Sequence, residues 1–216
     1  LMIWVQLSLP NFYNQTNNKK VSIKHVFYHP GIRSILTVIF LWIFAHNILY
    51  TFISPYLVSI HLNGYLDFIL LIFGLSSILG IWVTGMFVDK ALRKLVLINL
   101  SGFAFAAILM GLFNSQNWIV IIGIVLWGIT FGGAPTLLQT AIADTAGNNV
   151  DIAQSMLVTV FNLAVASGGI AGGILLKKIG INSFFVSMTF LSLIGLLVVF
   201  LAQKNGFRSG PRVSLE

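Results

Sequence analysis

Six long, uninterrupted apolar runs constrain this chain more than any other feature. They cover residues 34–60, 68–88, 95–113, 118–141, 153–176 and 181–202. Each holds about 19–27 residues, and about 20 suffice to carry a helix across roughly 30 Å of hydrocarbon. Lipid tolerates no unpaired backbone groups, so only helices or closed barrels span it. A barrel needs alternating segments of about 10 residues, whereas these runs are continuous and rich in Leu and Ile. The predicted fold class is an all-α membrane protein with six transmembrane helices. The expected loops, residues 61–67, 89–94, 114–117, 144–152 and 177–180, leave no room for a soluble domain. Successive helices therefore run antiparallel.

Composition agrees. Only 8% of the 216 residues are charged, against about 25% in soluble domains. Such a chain cannot cover a water-facing surface, and the bilayer is its natural partner. Cysteine is absent, which removes disulfides, thiolate metal sites and cysteine nucleophiles. The net charge of +7 sits in the connectors, where it sets membrane orientation rather than pointing to nucleic acid. No H-E-x-x-H, G-x-S-x-G or G-x-x-x-x-G-K-(S/T) pattern appears. The chain reads as neither an enzyme nor an ATP-driven pump, with no catalytic residue, cofactor or metal.

Orientation follows from Lys and Arg near the spans. One side holds Lys19, Lys20, Lys24, Arg33, Lys90, Arg93, Lys94, Lys204, Arg208 and Arg212. The other holds only Lys177 and Lys178, whose long side chains snorkel to the interface. Both termini are expected in the cytoplasm, with the protein multi-pass in the plasma (inner) membrane. Residues 1–9 read as the end of a preceding helix. An ordinary start at Met2 with a short interfacial segment is the other reading.

The end of the second run and the connector after it contain Gly85, Asp89, Lys90, Arg93 and Lys94. Gly85 permits close helix approach, Asp89 at the membrane edge is placed to meet a cation, and Arg93 and Lys94 anchor the basic interface. Charge alone favours a simpler reading, an anchor with an incidental Asp. The spacing G-x-x-x-D-(R/K)-x-x-(R/K)-(R/K), however, resembles the cytoplasmic signature loop of the major facilitator superfamily. Leu92 stands where the strong form of that loop has glycine, which fits its weaker second copy between helices eight and nine. Two further stretches agree. Residues 45–55 are similar to the seventh helix of the drug/proton antiporter branch, especially its sugar and purine-nucleoside exporters. Residues 153–173 resemble the eleventh helix of the same exporters. The resemblance implies that residues 1–9 end helix six and residues 10–33 form a cytoplasmic linker. Residues 34–202 would be the six-helix C-terminal half of a twelve-helix fold, and residues 203–216 a cytoplasmic tail.

Polar residues inside apolar runs mark candidate sites. His46, Asn47, Tyr50 and Ser54 fall on one helix face, followed by Pro55, which removes a backbone donor. Gln139 lies near Pro135 and Thr136, and Asn162 shares a face with Ser155 and Thr159. We take His46, Asn47, Tyr50, Gln139 and Asn162 as candidate substrate contacts. Interhelical hydrogen bonding accounts equally well for Gln139 and Asn162. His46 is the one mid-span group, tyrosines aside, suited to carry a coupling proton. Gly168 with Gly172, Gly169 with Gly173, and Gly128 with Gly132 are G-x-x-x-G pairs that let helix backbones meet. Static packing and rocking surfaces are both compatible with them. The expected function is secondary active efflux of a small polar solute such as a sugar or nucleoside, by proton antiport with alternating access. It would work with a missing N-terminal six-helix half or a second copy of the chain. The alternative is a transport-inactive remnant or membrane scaffold.

Overall fold

The computed structural model describes residues 22–210. The regular elements there are helices: α1 (Ile23–Phe27), α2 (Ile32–Tyr50), α3 (Ile53–Ser59), α4 (Leu66–Leu112), α5 (Asn117–Gly132), α6 (Ala134–Ala146), α7 (Val150–Lys178) and α8 (Ser183–Leu201). Short 3-10 turns occupy Asn63–Tyr65, Gly147–Asn149 and Ala202–Lys204. The expected helix end at residues 1–9, the start of the linker and the end of the tail lie outside the described residues.

Two prolines set helix breaks. Pro55 cannot donate to the carbonyl of Thr51, four residues back. The chain stops being helical after Tyr50 and restarts at Ile53, which puts Pro55 in the first turn of α3. Pro135 likewise cannot serve Phe131, and the junction between α5 and α6 falls at Gly133.

Four helical stretches are long and apolar enough to cross a bilayer: Ile32–Tyr50, Asn63–Leu112, Asn117–Lys178 and Ser183–Lys204. Two of them hold 50 and 62 residues, or about 75 and 93 Å if straight, against roughly 30 Å of hydrocarbon. The expected loops at residues 89–94 and 144–152 are thus largely helical, with the turns compressed into a few residues. Within α4 the backbone leaves helical values at Ala91 (φ −147°, ψ 35°). Along a straight helix Gly80 and Gly102 stand about 33 Å apart. Here Gly80 abuts Ile129 and Gly102 abuts Thr130, so the chain doubles back around Ala91. The second long stretch reverses at Gly147, whose φ is +53°. Beyond it, Gln154 Nε2 donates to the carbonyl of Gln139 at 3.2 Å, although about 22 Å separates those positions on a straight helix.

These reversals collect the helix ends at two levels. At one end, Gly31 meets the backbone of Asn205, Arg93 meets Phe207, and Thr145 Oγ1 donates to the carbonyl of Gly206 at 3.4 Å. Gly31 has φ +95°, and a Cβ there would collide with Asn205. Glycine alone permits that approach at the start of α2. At the other end, Asn114 Nδ2 donates to Asn182 Oδ1 at 3.2 Å, and the rings of Tyr56 and Phe185 meet at 5.0 Å. Trp42, Phe103 and Trp127 fill the core between the two levels. Trp82, Ile98, Phe190 and Leu197 remain exposed around it. Apolar faces of that extent suit lipid tails rather than water.

Candidate functional site

The polar face of α2 is split by the structure. His46 is buried and Tyr50 exposed, and their rings stack at 5.0 Å, as their one-turn spacing allows. His46 lies flat on Phe131 of α5, the ring centroids 3.5 Å apart and the planes within 2°. The indole N–H of Trp127 donates to His46 Nδ1 at 3.0 Å. Phe73 of α4 closes the cluster, 4.6 Å from Trp127. An indole nitrogen only donates, so Nδ1 is the acceptor in this pair. The result is a largely buried aromatic cluster built from three elements, with Tyr50 at its exposed edge. Of this cluster, the exposed Tyr50 ring and hydroxyl are the part placed to meet a ligand, with the buried and half-buried rings as its backing.

Asn47 points elsewhere. Its amide donates to the carbonyl of Ile43 at 2.8 Å, and its Cβ lies 2.8 Å from where a Gly168 Cβ would stand. Asn47 thus packs into the seam between α2 and α7. Gly172 sits in the same seam, with the carbonyl of Ile48 2.9 Å from its would-be Cβ. Gly169 and Gly173 have only ordinary contacts, with Thr51 and Phe52. Gln139 and Asn162 are both exposed. The Gln139 carbonyl accepts from Gln154, and the Asn162 amide donates to its own helix at Val158. Ser155 and Thr159 do the same on that exposed face.

The charged connector is placed as follows. Asp89, Lys90 and Lys94 are exposed. Nothing lies within 4 Å of a Cβ placed on Gly85, so among the described residues Gly85 serves no close helix contact. Spacing alone cannot say which glycine of a helix meets a neighbour. Arg93 is buried. Its Nη1 donates to the carbonyls of Val199 at 2.6 Å and Phe207 at 3.1 Å, and its Nη2 to that of Phe200 at 3.2 Å. Those carbonyls lie at and beyond the end of α8, where helical partners run out. Sequence reasoning missed Phe73, Trp127 and Phe131, because aromatic residues in a lipid-facing run carry no signal that they will meet.

A Trp127→Phe change keeps the ring and removes the donor. In a double-mutant cycle with His46→Ala, a coupling of about 1 kcal/mol is expected. Additive losses in thermal melts of the two single variants and the double variant would mean the bond carries nothing.

The described residues form a helical bundle whose apolar helices are long enough to cross a bilayer, with polar residues inside them. The Major Facilitator Superfamily profile matches residues 2–149 and, in a second overlapping placement, residues 68–214. The chain belongs to that family. Membership in a family of transporters also settles that it is not an enzyme. Among similar proteins, a probable sugar efflux transporter of Pasteurella multocida is 22% identical over 219 residues, covering 100% of this chain and 54% of the relative. A probable sugar efflux transporter of Helicobacter pylori J99 is 23% identical, covering 84% and 47%. The purine ribonucleoside efflux pump NepI of Escherichia coli K12 is 28% identical over 207 residues, covering 91% and 50%. The chain spans about half the length of these relatives.

Proposed function

We propose that the chain is the C-terminal six-helix half of a secondary transporter that exports a small polar solute, such as a sugar or nucleoside. The reversals at Ala91 and Gly147 support a count of six crossings. They divide the two long stretches into segments of single-crossing length. Sequence likeness to efflux proteins of twice this length supports the assignment to one half.

The observation that carries the reading is the exposure of polar groups along apolar spans. Tyr50, Gln139, Ser155, Thr159 and Asn162 are exposed. Polar residues at membrane depth face a protein partner or a watery cavity rather than lipid. With a second half opposite, these groups would line a solute path, and His46 would sit behind Tyr50 as its support. Alternating access would rock the two halves about that path, with glycine seams such as Gly168/Gly172 as sliding or fixed surfaces. Proton antiport and cytoplasmic termini belong to the same reading. For the termini, the support is the gathering of Lys24, Arg33, Lys90, Lys94, Lys204 and Arg208 at one end, against Lys177 and Lys178 at the other.

The test is efflux from vesicles, using a panel of sugars and purine nucleosides. It compares the chain alone with the chain joined to an N-terminal six-helix half. Solute and pH-gradient dependent efflux by the joined form is expected. Its absence across the panel, with both forms inserted, would leave a remnant or scaffold as the better account. In the joined form, Asp89→Asn keeps the side-chain size and removes the charge at the turn. It is expected to slow efflux at least tenfold, about 1.4 kcal/mol of barrier, while membrane insertion is unchanged. Wild-type rates would remove Asp89 from any gating role.

A further inference from the structure

We propose that the groove between the start of α2 and the end of α8 is a binding site for the headgroup of an anionic phospholipid. The groove encloses about 520 Å³, and its lining includes Arg33, Ser34, Thr37, Val198, Leu201 and Lys204. Three features combine there. The first is charge: Arg33 and Lys204 face one cavity, and no Asp or Glu lines it among the described residues. The second is fixed geometry. The close meeting of Gly31 with Asn205 holds the two cation-bearing segments side by side. The Arg33 guanidinium rests 5.2 Å over the Tyr28 ring, which limits where its donors point. The third is a mixed polar and apolar lining. The Ser34 and Thr37 side chains and the two cations share the groove with Val198 and Leu201 of α8, so polar and apolar groups line it together.

A free anion would use the cations and have no need of the apolar wall. A phosphodiester on a diacyl chain uses both. Its phosphate oxygens accept from guanidinium and ammonium donors, and its acyl chain continues along apolar surface into the bilayer. Basic pockets between membrane helices take anionic headgroups for this reason. The end of the bundle that holds the groove is also the end that carries most of the lysine and arginine. The proposal requires that the chain lies in a bilayer and is independent of the transport reading.

The test is native mass spectrometry of the full chain released from micelles containing dioleoyl-phosphatidylglycerol or dioleoyl-phosphatidylcholine. The wild type is expected to retain the anionic lipid at least tenfold better than the zwitterionic one. The double variant Arg33→Gln with Lys204→Gln is expected to lose that preference and to keep its phosphatidylcholine binding, which shows that it is folded. Lys177→Gln with Lys178→Gln removes the same charge at the opposite end and is expected to retain the preference. Equal retention of the two lipids by the wild type would overturn the proposal. So would equal losses in both double variants, which would mean bulk attraction. Inorganic phosphate that displaces the lipid at millimolar concentration would reduce the groove to a simple anion site. Loss of the bound lipid on joining an N-terminal half would assign the groove to that interface instead.

Discussion

Replacing Arg93 by Met is expected to destabilise the chain by about 4 kcal/mol. The guanidinium donates to three carbonyls, of Val199, Phe200 and Phe207. Hydrogen bonds to a charged group are worth about 1.5–3 kcal/mol each, and a buried acceptor left without its donor costs more than the mean bond. Some of the loss is offset because burying a charge is itself costly. The bonds reach two separate pieces of chain, the end of α8 and the segment after the Ala202–Lys204 turn. Their removal should free that segment, together with Gly206 and its contact at Gly31. Arg93→Lys should recover only part of the stability, since an ammonium is a point donor and cannot fork across three acceptors. Unfolding in mild detergent, followed by tryptophan fluorescence, measures both variants. An unchanged midpoint for the Met variant would show that burial of Phe207 alone holds the segment.

Gly132→Ala is expected to cost about 3 kcal/mol, at the upper end of what overpacking a tight contact produces. A Cβ at Gly132 would overlap the backbone of Ser77 in α4. One turn away, a Cβ at Gly128 would stand 2.7 Å from the carbonyl of Phe73. The atoms in the way are backbone and cannot swing aside, so α4 and α5 would have to separate. Gly85→Ala is the control. Open space surrounds that position, and the change should stay within about 0.5 kcal/mol. Equal midpoints for the two alanine variants would mean that the seam between α4 and α5 yields without cost.

Much of the architecture was legible because lipid enforces a simple code. A continuous apolar run of the right length has one stable form in a bilayer, with its backbone hydrogen bonds closed within the run. Pro55 was legible as a disturbance of its helix for a local reason, the loss of a donor, whereas Pro135 was read only as a neighbour of Gln139. The turns were harder to read. Residues 89–94 and 144–152 looked like loops by their charges and, in the second, by Gly147, yet helix persists through most of both. A reversal needs only a few residues to leave helical values, as at Ala91 and Gly147.

The candidate site was legible in its residue types and not in its partners. His46 stood out as a mid-span imidazole, but nothing in the order of residues joins it to Trp127, 81 positions away. Asn47, next to it in sequence, turns into the seam with Gly168 instead. A step of one residue rotates a helix by about 100°, and neighbouring helices decide which angle is a wall and which a seam. Arg93 shows the same division. Its charge and position suggested an interface anchor, and its three carbonyl partners lie more than 100 residues on.

The long apolar runs of the sequence determined by themselves that this chain is helical and belongs in a bilayer. Their spacing determined that the helices alternate in direction. Those properties depend on transfer of side chains to lipid and on backbone hydrogen bonds closed within one segment, which are local. The tertiary structure alone decided which glycines meet a backbone, which aromatic rings stack on His46, and whether an arginine near the membrane edge faces water or caps a distant helix. Those outcomes depend on how helix surfaces fit together, and that fit is a property of pairs of segments rather than of any one of them.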